Sequence, residues 1–503
     1  MGVGWRITKG AFDVSLAAQR SMSNSILQRS SERQANRGGR AANRGLIGPY
    51  DPPPPPQASG YLDYSGLATP NDIQGTTWNF PLGRYVLPRK KWEGREEFGL
   101  STEMANRHTV VYAPTQTGKT TSVIAPWIYA GMRAGYLVVA IDLKGNGDLR
   151  AKVSEYAASQ EPLPDVGYAS FDYTDPSESV SWNWMAELDD ESSIEAAAEA
   201  LVGRDRENDP NREFRLRDLK WMRGLLELVN NSGVPWTVRT LLQLLDNQSR
   251  LQLLVNRQLG SRAATRLNDL VSLPADEYYT KVQFITTYLE VLNIDGFVSA
   301  TRRREFSISE LTDEAGLFVI TAPISDGRLS AAVTSLFLGQ FLNHQFKQFN
   351  RSRRPVLLVL DEAPRLKDRL DLSQLMAVSA SSGMSVLLAL QEVTDFDEKE
   401  RDVILANCGT HILLHRAGHK TTEFFSQRLG TRIATRQTQS SSFTAREGRT
   451  WQSGVQTADV PVLGRAELAS PPGGEFSAFI SCYELSRKPI LVDLTRRDLL
   501  RQR

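Results

Sequence analysis

The feature that most constrains the fold is a set of seven short runs rich in Val, Ile and Leu, separated by stretches with helical character. Strands that read as continuous apolar runs are buried on both faces, as in a parallel sheet covered by helices on either side. The sequence therefore predicts an α/β fold with a mainly parallel sheet. The runs lie at residues 109–113, 136–141, 167–171, 316–322, 356–360, 385–390 and 411–415.

One long stretch lacks this strand signal. Between residues 186 and 308, helix formers and helical apolar spacing dominate, as in Leu219–Val229 and Val238–Leu254. We therefore predict an all-α insertion domain at 186–308, which divides the core into a first part at 76–185 and a second part at 309–495. A short β section is expected at the start of the core, around residues 85–87.

The two ends of the chain differ from the core. Residues 1–45 carry eight Lys or Arg residues against Asp13 and Glu32, and residues 496–503 form a second, short basic tail. The composition of this basic arm favours a solvated segment, although it also suits polyanions or lipid headgroups. The run Pro52–Pro56 predicts an extended spacer within a linker at 46–75.

Charge and cysteine content exclude several classes of protein. With 59 Lys and Arg against 58 Asp and Glu, the net charge is +1, so any contact with nucleic acid must come from local patches. Two cysteines cannot form a disulfide framework, which indicates a reducing compartment such as the cytoplasm. No run of about 18 apolar residues occurs, so the sequence predicts no transmembrane helix.

Residues 113–120, which read Ala-Pro-Thr-Gln-Thr-Gly-Lys-Thr, predict a phosphate-binding loop. They fit G-x-x-x-x-G-K-[ST] except that Ala113 replaces the first Gly, and the loop follows a strand and precedes a helix. In such loops the backbone N–H groups cradle phosphate, the lysine neutralises charge and the hydroxyl binds Mg²⁺. The predicted nucleotide-binding residues are Ala113, Pro114, Thr115, Gln116, Thr117, Gly118, Lys119, Thr120 and Thr121, with Lys119 also catalytic and Thr120 also a metal ligand.

A second element follows the apolar run 356–360. Asp361 and Glu362 stand at the carboxyl end of that strand, where parallel sheets bind ligands. We predict that Asp361 holds Mg²⁺ and that Glu362 is the general base for the attacking water. Gln391 ends another strand and is a candidate sensor of the γ-phosphate. We expect Lys119 and Asp361 to approach each other at one edge of the sheet.

The ordered set of motifs resembles the conjugative coupling proteins, which are hexameric type IV secretion ATPases of the FtsK–HerA translocase superclass. No single motif is specific, but their order and spacing are, over about residues 105–495. The matching segments are Ala113–Thr120, Ile141–Gly145, Phe171–Pro176, Ser181–Asn183, Asp361–Glu362, Gln391, Asn407, Thr421–Thr422, Ser426, Leu429–Gly430, Val462–Leu468 and Pro471–Glu475.

The resemblance implies a RecA-like P-loop NTPase core with ATP and Mg²⁺ as cofactors. It implies an ATP-driven translocase that pumps DNA, or a relaxase-type nucleoprotein, toward a secretion or conjugation channel. A ring, expected to be a hexamer, would meet channel or membrane partners, and the helical insertion would dock substrates or adaptors. We expect a cytoplasmic protein, peripheral at the inner face of the membrane if anchored. Two alternatives stay open: a nucleotide-gated ring or recruitment factor for protein effectors, and a DNA-processing motor in defence or plasmid maintenance.

Three features depart from the family pattern. Family members usually carry membrane helices before the motor, where this chain has the basic arm and linker. The family's trans-acting arginine precedes the Gln motif, but residues 377–383 contain no Arg. Arg365, Arg369 and Arg416 are candidates to replace it. Asn146 and Gly147 follow Lys144-Gly145 where the family has an acidic residue, which leaves Asp148 as a displaced candidate.

The sequence also contains two basic clusters, which are candidate contacts for DNA or a partner, and one set of residues that could bind a metal. Residues 416–450 carry seven Lys or Arg against two Glu, and are read as a polar loop, either solvated or facing a pore or partner. The zinc-like spacing of Cys408, His411, His415 and His419 is discounted, because histidines four apart on a strand lie about 13 Å apart. The candidate DNA or partner contacts are Arg302, Arg303, Arg304, Arg432 and Arg436.

Overall fold

The computed structural model describes most of the chain after the linker. The predicted basic arm 1–45, most of the linker 46–75 and the tail 496–503 lie outside the described residues, as does the side chain of Arg436. The described residues are 66–73, 78–86, 97–145, 147–158, 160, 167–205, 209–234, 236–313, 316–348, 354–444, 448–472 and 476–494.

An eleven-stranded sheet organises these residues, with the strand order β2-β1-β13-β12-β9-β3-β8-β7-β4-β6-β5. Neighbouring strands from β9 to β5 are parallel, whereas β12, β13, β1 and β2 extend the sheet through antiparallel pairs. The predicted α/β fold with a mainly parallel sheet is therefore confirmed. The strands are β1 (Phe80–Tyr85), β2 (Glu97–Leu100), β3 (Thr109–Tyr112), β4 (Leu137–Asp142), β5 (Gly167–Asp172), β6 (Gly316–Thr321), β7 (Val356–Asp361), β8 (Met384–Leu390), β9 (Thr410–Leu414), β12 (Ser477–Cys482) and β13 (Ile490–Asp493).

Between β5 and β6 the described residues form helices and no strand, as the helical composition predicts. The α-helices of this insertion are Glu191–Val202, Arg212–Asn230, Val238–Leu245, Gln248–Arg257, Arg262–Val271, Ala275–Glu290, Asp295–Ala300 and Ile308–Asp313. The remaining α-helices are Thr102–Ala105, Ala125–Arg133, Asp148–Ala158, Arg328–Lys347, Leu372–Val378, Glu398–Ala406, His419–Leu429 and Arg465–Ala469.

The segment 416–450, read as a polar loop, instead contains the helix His419–Leu429 and most of an antiparallel hairpin, which corrects the sequence expectation. Strands β10 (Thr431–Thr444) and β11 (Gly448–Pro461) pair with each other in continuous register and form a second sheet. Each strand has 14 residues, so the hairpin is about 46 Å long at about 3.3 Å per residue. The polar residues of these strands show no apolar alternation, so the composition gave no strand signal, whereas backbone hydrogen bonds can pair strands of any composition. The β section expected at residues 85–87 overlaps β1, which ends at Tyr85, and residue 87 lies outside the described residues.

Both faces of the parallel sheet are covered, because alternate residues of each strand point to opposite sides. Val138 and Ala140 of β4 belong to a buried cluster with Trp127 of the helix Ala125–Arg133. On β6, the ring of Phe318 stacks on that of Phe337, in the helix Arg328–Lys347, with centroids 5.2 Å apart. The same long helix packs against Glu191–Val202, which joins the insertion to the core.

Glu187 lies where the insertion leaves the core, and only 9% of its surface is exposed. Its Oε2 accepts a hydrogen bond from the Ile308 N–H at 3.4 Å, whereas Oε1 is buried without a hydrogen-bonding partner among the described residues. Burial raises the pKa of the Glu187 carboxyl from 4.5 to about 7. The folded state therefore favours the protonated carboxyl. Its stabilising effect is complete below about pH 4.5 and is lost as the pH rises to about 7.

We expect Glu187→Gln to flatten the pH dependence of stability. The variant should match the wild type near about pH 4.5 and exceed it above about pH 7 by up to about 3 kcal/mol, because the buried charge is removed. Urea unfolding at about pH 5 and about pH 8 measures the difference. The exposed Glu277→Gln is the matched control, and an identical pH dependence in all three proteins would contradict the assignment.

Among the described residues, none of the helices combines the length and the apolar composition needed to cross a bilayer.

Candidate active site

The phosphate loop lies at the carboxyl edge of the sheet, between β3 and the helix that follows. Gln116 and Gly118 adopt positive φ values of 64° and 82°, and the Thr117 hydroxyl donates to the Pro114 carbonyl at 2.8 Å, which closes the turn. Ala113 is fully buried and is not one of the described residues with positive φ. Its methyl group is therefore accommodated where the usual motif has Gly.

The helix after the loop begins with a π-helical segment, Thr120–Ile124, before the α-helix Ala125–Arg133. Such segments are frequent at functional sites. The backbone N–H and the hydroxyl of Ser122 both donate to the Gly118 carbonyl at 2.8 Å. A Cβ atom at Gly118 would lie 2.8 Å from the ring of Phe476. Positive φ and this close approach both require Gly at position 118.

Lys119 and Asp361 form an ion pair across the end of an intervening strand. The distance between Lys119 Nζ and Asp361 Oδ1 is 2.5 Å, and the two side chains are 10% and 15% exposed. Because β8 lies between β3 and β7, the two side chains meet above the end of β8, where Gln391 follows. The structure thus brings the two predicted phosphate and metal residues together at one edge of the sheet.

Glu362 follows Asp361 in the left-handed conformation, with φ 65° and ψ 38°. The Gln391 Nε2 donates a hydrogen bond to its Oε1, and Arg365 Nε lies 3.4 Å from its Oε2. The carboxylate is 19% exposed. Glu362 is therefore oriented by one amide and one guanidinium group while it stays accessible to a small molecule at the edge of the sheet.

Lys144 is a contributor for which sequence reasoning assigned no role at the site. Its Nζ donates to the Thr120 hydroxyl at 3.2 Å and pairs with Asp148 at 3.3 Å. Asp142, at the end of β4, accepts the backbone N–H groups of Lys144 and Gly145 at 3.0 and 3.2 Å. Burial raises the pKa of the Asp142 carboxyl. Two signals were present in the sequence: Lys144 stands just past an apolar run, and it belongs to the matching segment Ile141–Gly145.

The three candidate trans-acting arginines lie in different environments. Arg365 is 53% exposed and contacts Glu362. Arg416 is exposed, has φ 61° and is separated by His415 from the end of β9, which lies next to β3 in the sheet. The Arg369 guanidinium instead donates to the carbonyls of Ala200 and Leu201 in its own chain. Arg365 and Arg416 are therefore exposed at this edge, whereas Arg369 is engaged within its own chain.

Three strained residues mark the same edge of the sheet. The described part of the chain has four non-glycine residues with positive φ, and Gln116, Glu362 and Arg416 are three of them. They follow β3, β7 and β9 respectively. Left-handed conformations are unfavourable for side chains with a Cβ, and they concentrate at functional sites. The backbone therefore supports the location that the side chains indicate.

The predicted basic contacts are placed away from the phosphate loop in sequence. Arg302, Arg303 and Arg304 are all exposed and follow the helix Asp295–Ala300 at the end of the insertion. Arg432 lies at the base of the hairpin and is half-buried, and Arg436 is a residue of β10.

His411 and Cys408 of the discounted zinc set are engaged in the core. The His411 Nδ1 lies 2.7 Å from the Tyr112 hydroxyl, and its Nε2 lies 3.0 Å from the Cys408 carbonyl. Burial lowers the pKa of His411 to about 3 and raises the pKa of the Cys408 thiol to about 12. Both side chains are therefore neutral near pH 7, and both are buried.

Known proteins resemble this chain in part of its sequence and in its fold. A family described as the TraM recognition site of TraD and TraG matches residues 355–472, which include Asp361, Glu362, Gln391 and the hairpin. No curated protein matches the sequence.

Solved structures share the fold. The bacterial conjugative coupling protein TrwBdeltaN70, in a trigonal form with sulphate, is 18% identical with a TM-score of 0.60, over 84% of this chain and 96% of that chain. TrwB in complex with ADP and Mg²⁺, and TrwB with a non-hydrolysable ATP analogue, each match at 18% identity and a TM-score of 0.58, over the same 84% and 96%. These structures confirm the predicted RecA-like fold. The family match covers residues 355–472, and the solved structures, at 18% identity, show that the fold is shared.

Proposed function

We propose that the chain is an ATP-driven coupling ATPase that recruits DNA or a nucleoprotein and moves it toward a type IV secretion or conjugation channel. One observation carries the proposal: the Lys119–Asp361 ion pair and the Glu362–Gln391 hydrogen bond lie at the same edge of one sheet. A phosphate loop, a metal-binding carboxylate and a general base are the parts that triphosphate hydrolysis requires.

ATP and Mg²⁺ are the proposed cofactors, and related structures support them. TrwB is found with ADP and Mg²⁺ and with an ATP analogue. The donor set also fits, since Thr120 and Asp361 supply the hydroxyl and carboxylate oxygens that Mg²⁺ prefers. Each of these side chains already contacts a lysine ammonium group, so the position suits a cation. Bound there, Mg²⁺ would neutralise charge on the phosphates.

Each residue of the site has a proposed role in ATP hydrolysis. Lys119 neutralises phosphate charge, and the N–H groups of the loop hold the phosphate oxygens. Glu362 takes a proton from the attacking water, while Gln391 holds the Glu362 carboxylate and contacts the γ-phosphate. A neighbouring subunit supplies Arg416 or Arg365 to the developing charge, which is why we propose a ring, expected to be a hexamer.

The surfaces outside the site suggest which partners the protein binds. Exposed Arg302–Arg304 and the basic hairpin suit a phosphate backbone that is tracked without reading its sequence. The family description names TraM recognition for the region that contains the hairpin, so a TraM-like accessory protein is a proposed partner there. The helical insertion is the proposed docking surface for substrates or adaptors. The inner face of the membrane is the proposed place where the protein assembles with its partners.

A recruitment factor is the second candidate function. Residues 377–383 lack Arg, and Arg369 is engaged within its own chain, which favours slow hydrolysis. In this case ATP binding would order the ring or dock effectors without driving movement. A DNA-processing motor in defence or plasmid maintenance would share the motor and lack the channel.

Turnover with and without DNA tests the proposal. We expect ATP hydrolysis by the full chain to rise with single- or double-stranded DNA, and the rise to weaken with increasing salt because phosphate contacts release counterions. Arg302→Ala/Arg303→Ala/Arg304→Ala should reduce the stimulation without lowering basal turnover. The motor function would be contradicted, and recruitment favoured, by two results together. ATP turnover would be the same with and without DNA, and partner binding would require ATP but persist in Glu362→Gln.

A further inference from the structure

The segment that begins with Glu362 is connected directly to the helical insertion. Arg369, seven residues after Glu362, donates hydrogen bonds to the carbonyls of Ala200 and, at 2.9 Å, Leu201. These carbonyls belong to the last turn of the helix Glu191–Val202, where backbone acceptors lack partners within the helix. A cation at this end also interacts favourably with the helix dipole.

A second arginine makes the connection in the opposite direction. Arg204, just past the end of the same helix, pairs with the Asp371 carboxylate and donates to the Leu370 carbonyl at 3.2 Å. Its backbone N–H also donates to the Asp368 carbonyl at 3.4 Å. Each side of the junction thus contributes one arginine, and we call these two residues and their contacts the arginine clasp.

The clasp is close to the catalytic edge through a short and anchored stretch of chain. Ala363, Leu366 and Leu370 are at most 8% exposed, so the stretch is packed against the core. Lys367 Nζ donates to the Asp395 carbonyl at 2.9 Å, which ties the stretch to the turn after Gln391. A packed segment of this kind moves as a unit, so a shift at the clasp would displace Glu362.

We propose that Arg204 and Arg369 are positioning residues for ATP hydrolysis, which hold Glu362 in place and make its position depend on the helical insertion. This inference rests on the proposed function. Arg204 and Arg369 touch neither the phosphate loop nor the proposed metal ligands in their described contacts, so they act through the segment 362–371. Because the insertion is the proposed docking surface, a partner that binds there could change the position of the general base.

The test compares kcat and KM for ATP in the full chain. We expect Arg204→Ala and Arg369→Ala each to lower kcat about 10-fold, the usual size of coupling between sites, with KM and the affinity for a fluorescent ATP analogue within about twofold of the wild type. Arg204→Lys and Arg369→Lys should recover part of the loss, because they keep the charge. Lys220→Ala is the control, since it removes an ion pair with Asp269 inside the insertion.

Hydrogen exchange supplies a second measurement that does not need turnover. Exchange of the amides of residues 363–371 should rise in Arg204→Ala and stay unchanged in Lys220→Ala. An active wild type with unchanged kcat in both alanine variants, or a loss of nucleotide affinity equal to the loss of kcat, would overturn the positioning role. A wild type without any ATP turnover would instead overturn the proposed function. Unchanged exchange in Arg204→Ala would show that the clasp does not hold the segment.

Discussion

Replacing Glu362 with Gln should reduce ATP turnover about 10²- to 10⁴-fold, the range that general acid–base catalysis contributes, while nucleotide binding persists. The two side chains have the same shape, so the contact with Gln391 and the fold of the segment should survive. The amide, however, cannot accept the proton of the attacking water. Turnover falls because the chemical step is impaired, not because the phosphates are held less tightly.

Steady-state turnover and titration with a fluorescent ATP analogue, at the same salt concentration, check this prediction. Glu398→Gln is the matched control, since its side chain is 86% exposed and lies outside the site. If turnover were unchanged, another residue would have to activate the water. If nucleotide affinity fell in parallel with turnover, Glu362 would be a ligand for the nucleotide rather than a base.

The second large effect is expected for Lys119→Ala, which should abolish detectable nucleotide binding and lower turnover at least about 10²- to 10³-fold. The substitution removes the cation that faces the phosphates. It also leaves the Asp361 carboxylate, 15% exposed, without its partner, so an uncompensated negative charge would repel a triphosphate. Both effects act in the same direction.

Thermal unfolding with and without ATP and Mg²⁺ separates binding from folding. The wild type should gain stability from the ligand and Lys119→Ala should not. In Lys119→Ala/Asp361→Asn the stability without nucleotide should recover, because no unpaired charge is left, while the response to ATP should remain absent. Lys420→Ala, at a side chain that is 66% exposed, serves as the control. A normal ATP response in Lys119→Ala would place the nucleotide elsewhere on the chain.

Much of the fold was predictable because its parallel core follows from apolar composition. Strands buried on both faces, such as β4 and β8, are apolar throughout and stand out from their surroundings. The antiparallel part was not predictable in the same way. β2 has four residues, and β12 contains two serines and a cysteine, so their pairing depends on neighbours that are distant in sequence.

The residues of the candidate site were predictable where they directly follow a predicted strand. They were less predictable where their role depends on contacts between segments that are distant in sequence. The loop 113–120 and Asp361 carry their own signatures. The contacts of Lys144 with Thr120 and of Arg369 with Leu201 join residues that are 24 and 168 positions apart. Sequence motifs indicate which residues can bind phosphate, whereas the contacts with the insertion decide which of the candidate arginines are engaged within the chain.

The left-handed residues Gln116, Glu362 and Arg416 have a consequence for engineering. At each, glycine would adopt the same backbone without steric conflict, and relief of about 1–2 kcal/mol per residue follows from that difference. The version of this chain most resistant to heat is therefore expected to differ from the version that works best. Selection for thermostability alone would be expected to replace these three residues with glycine first.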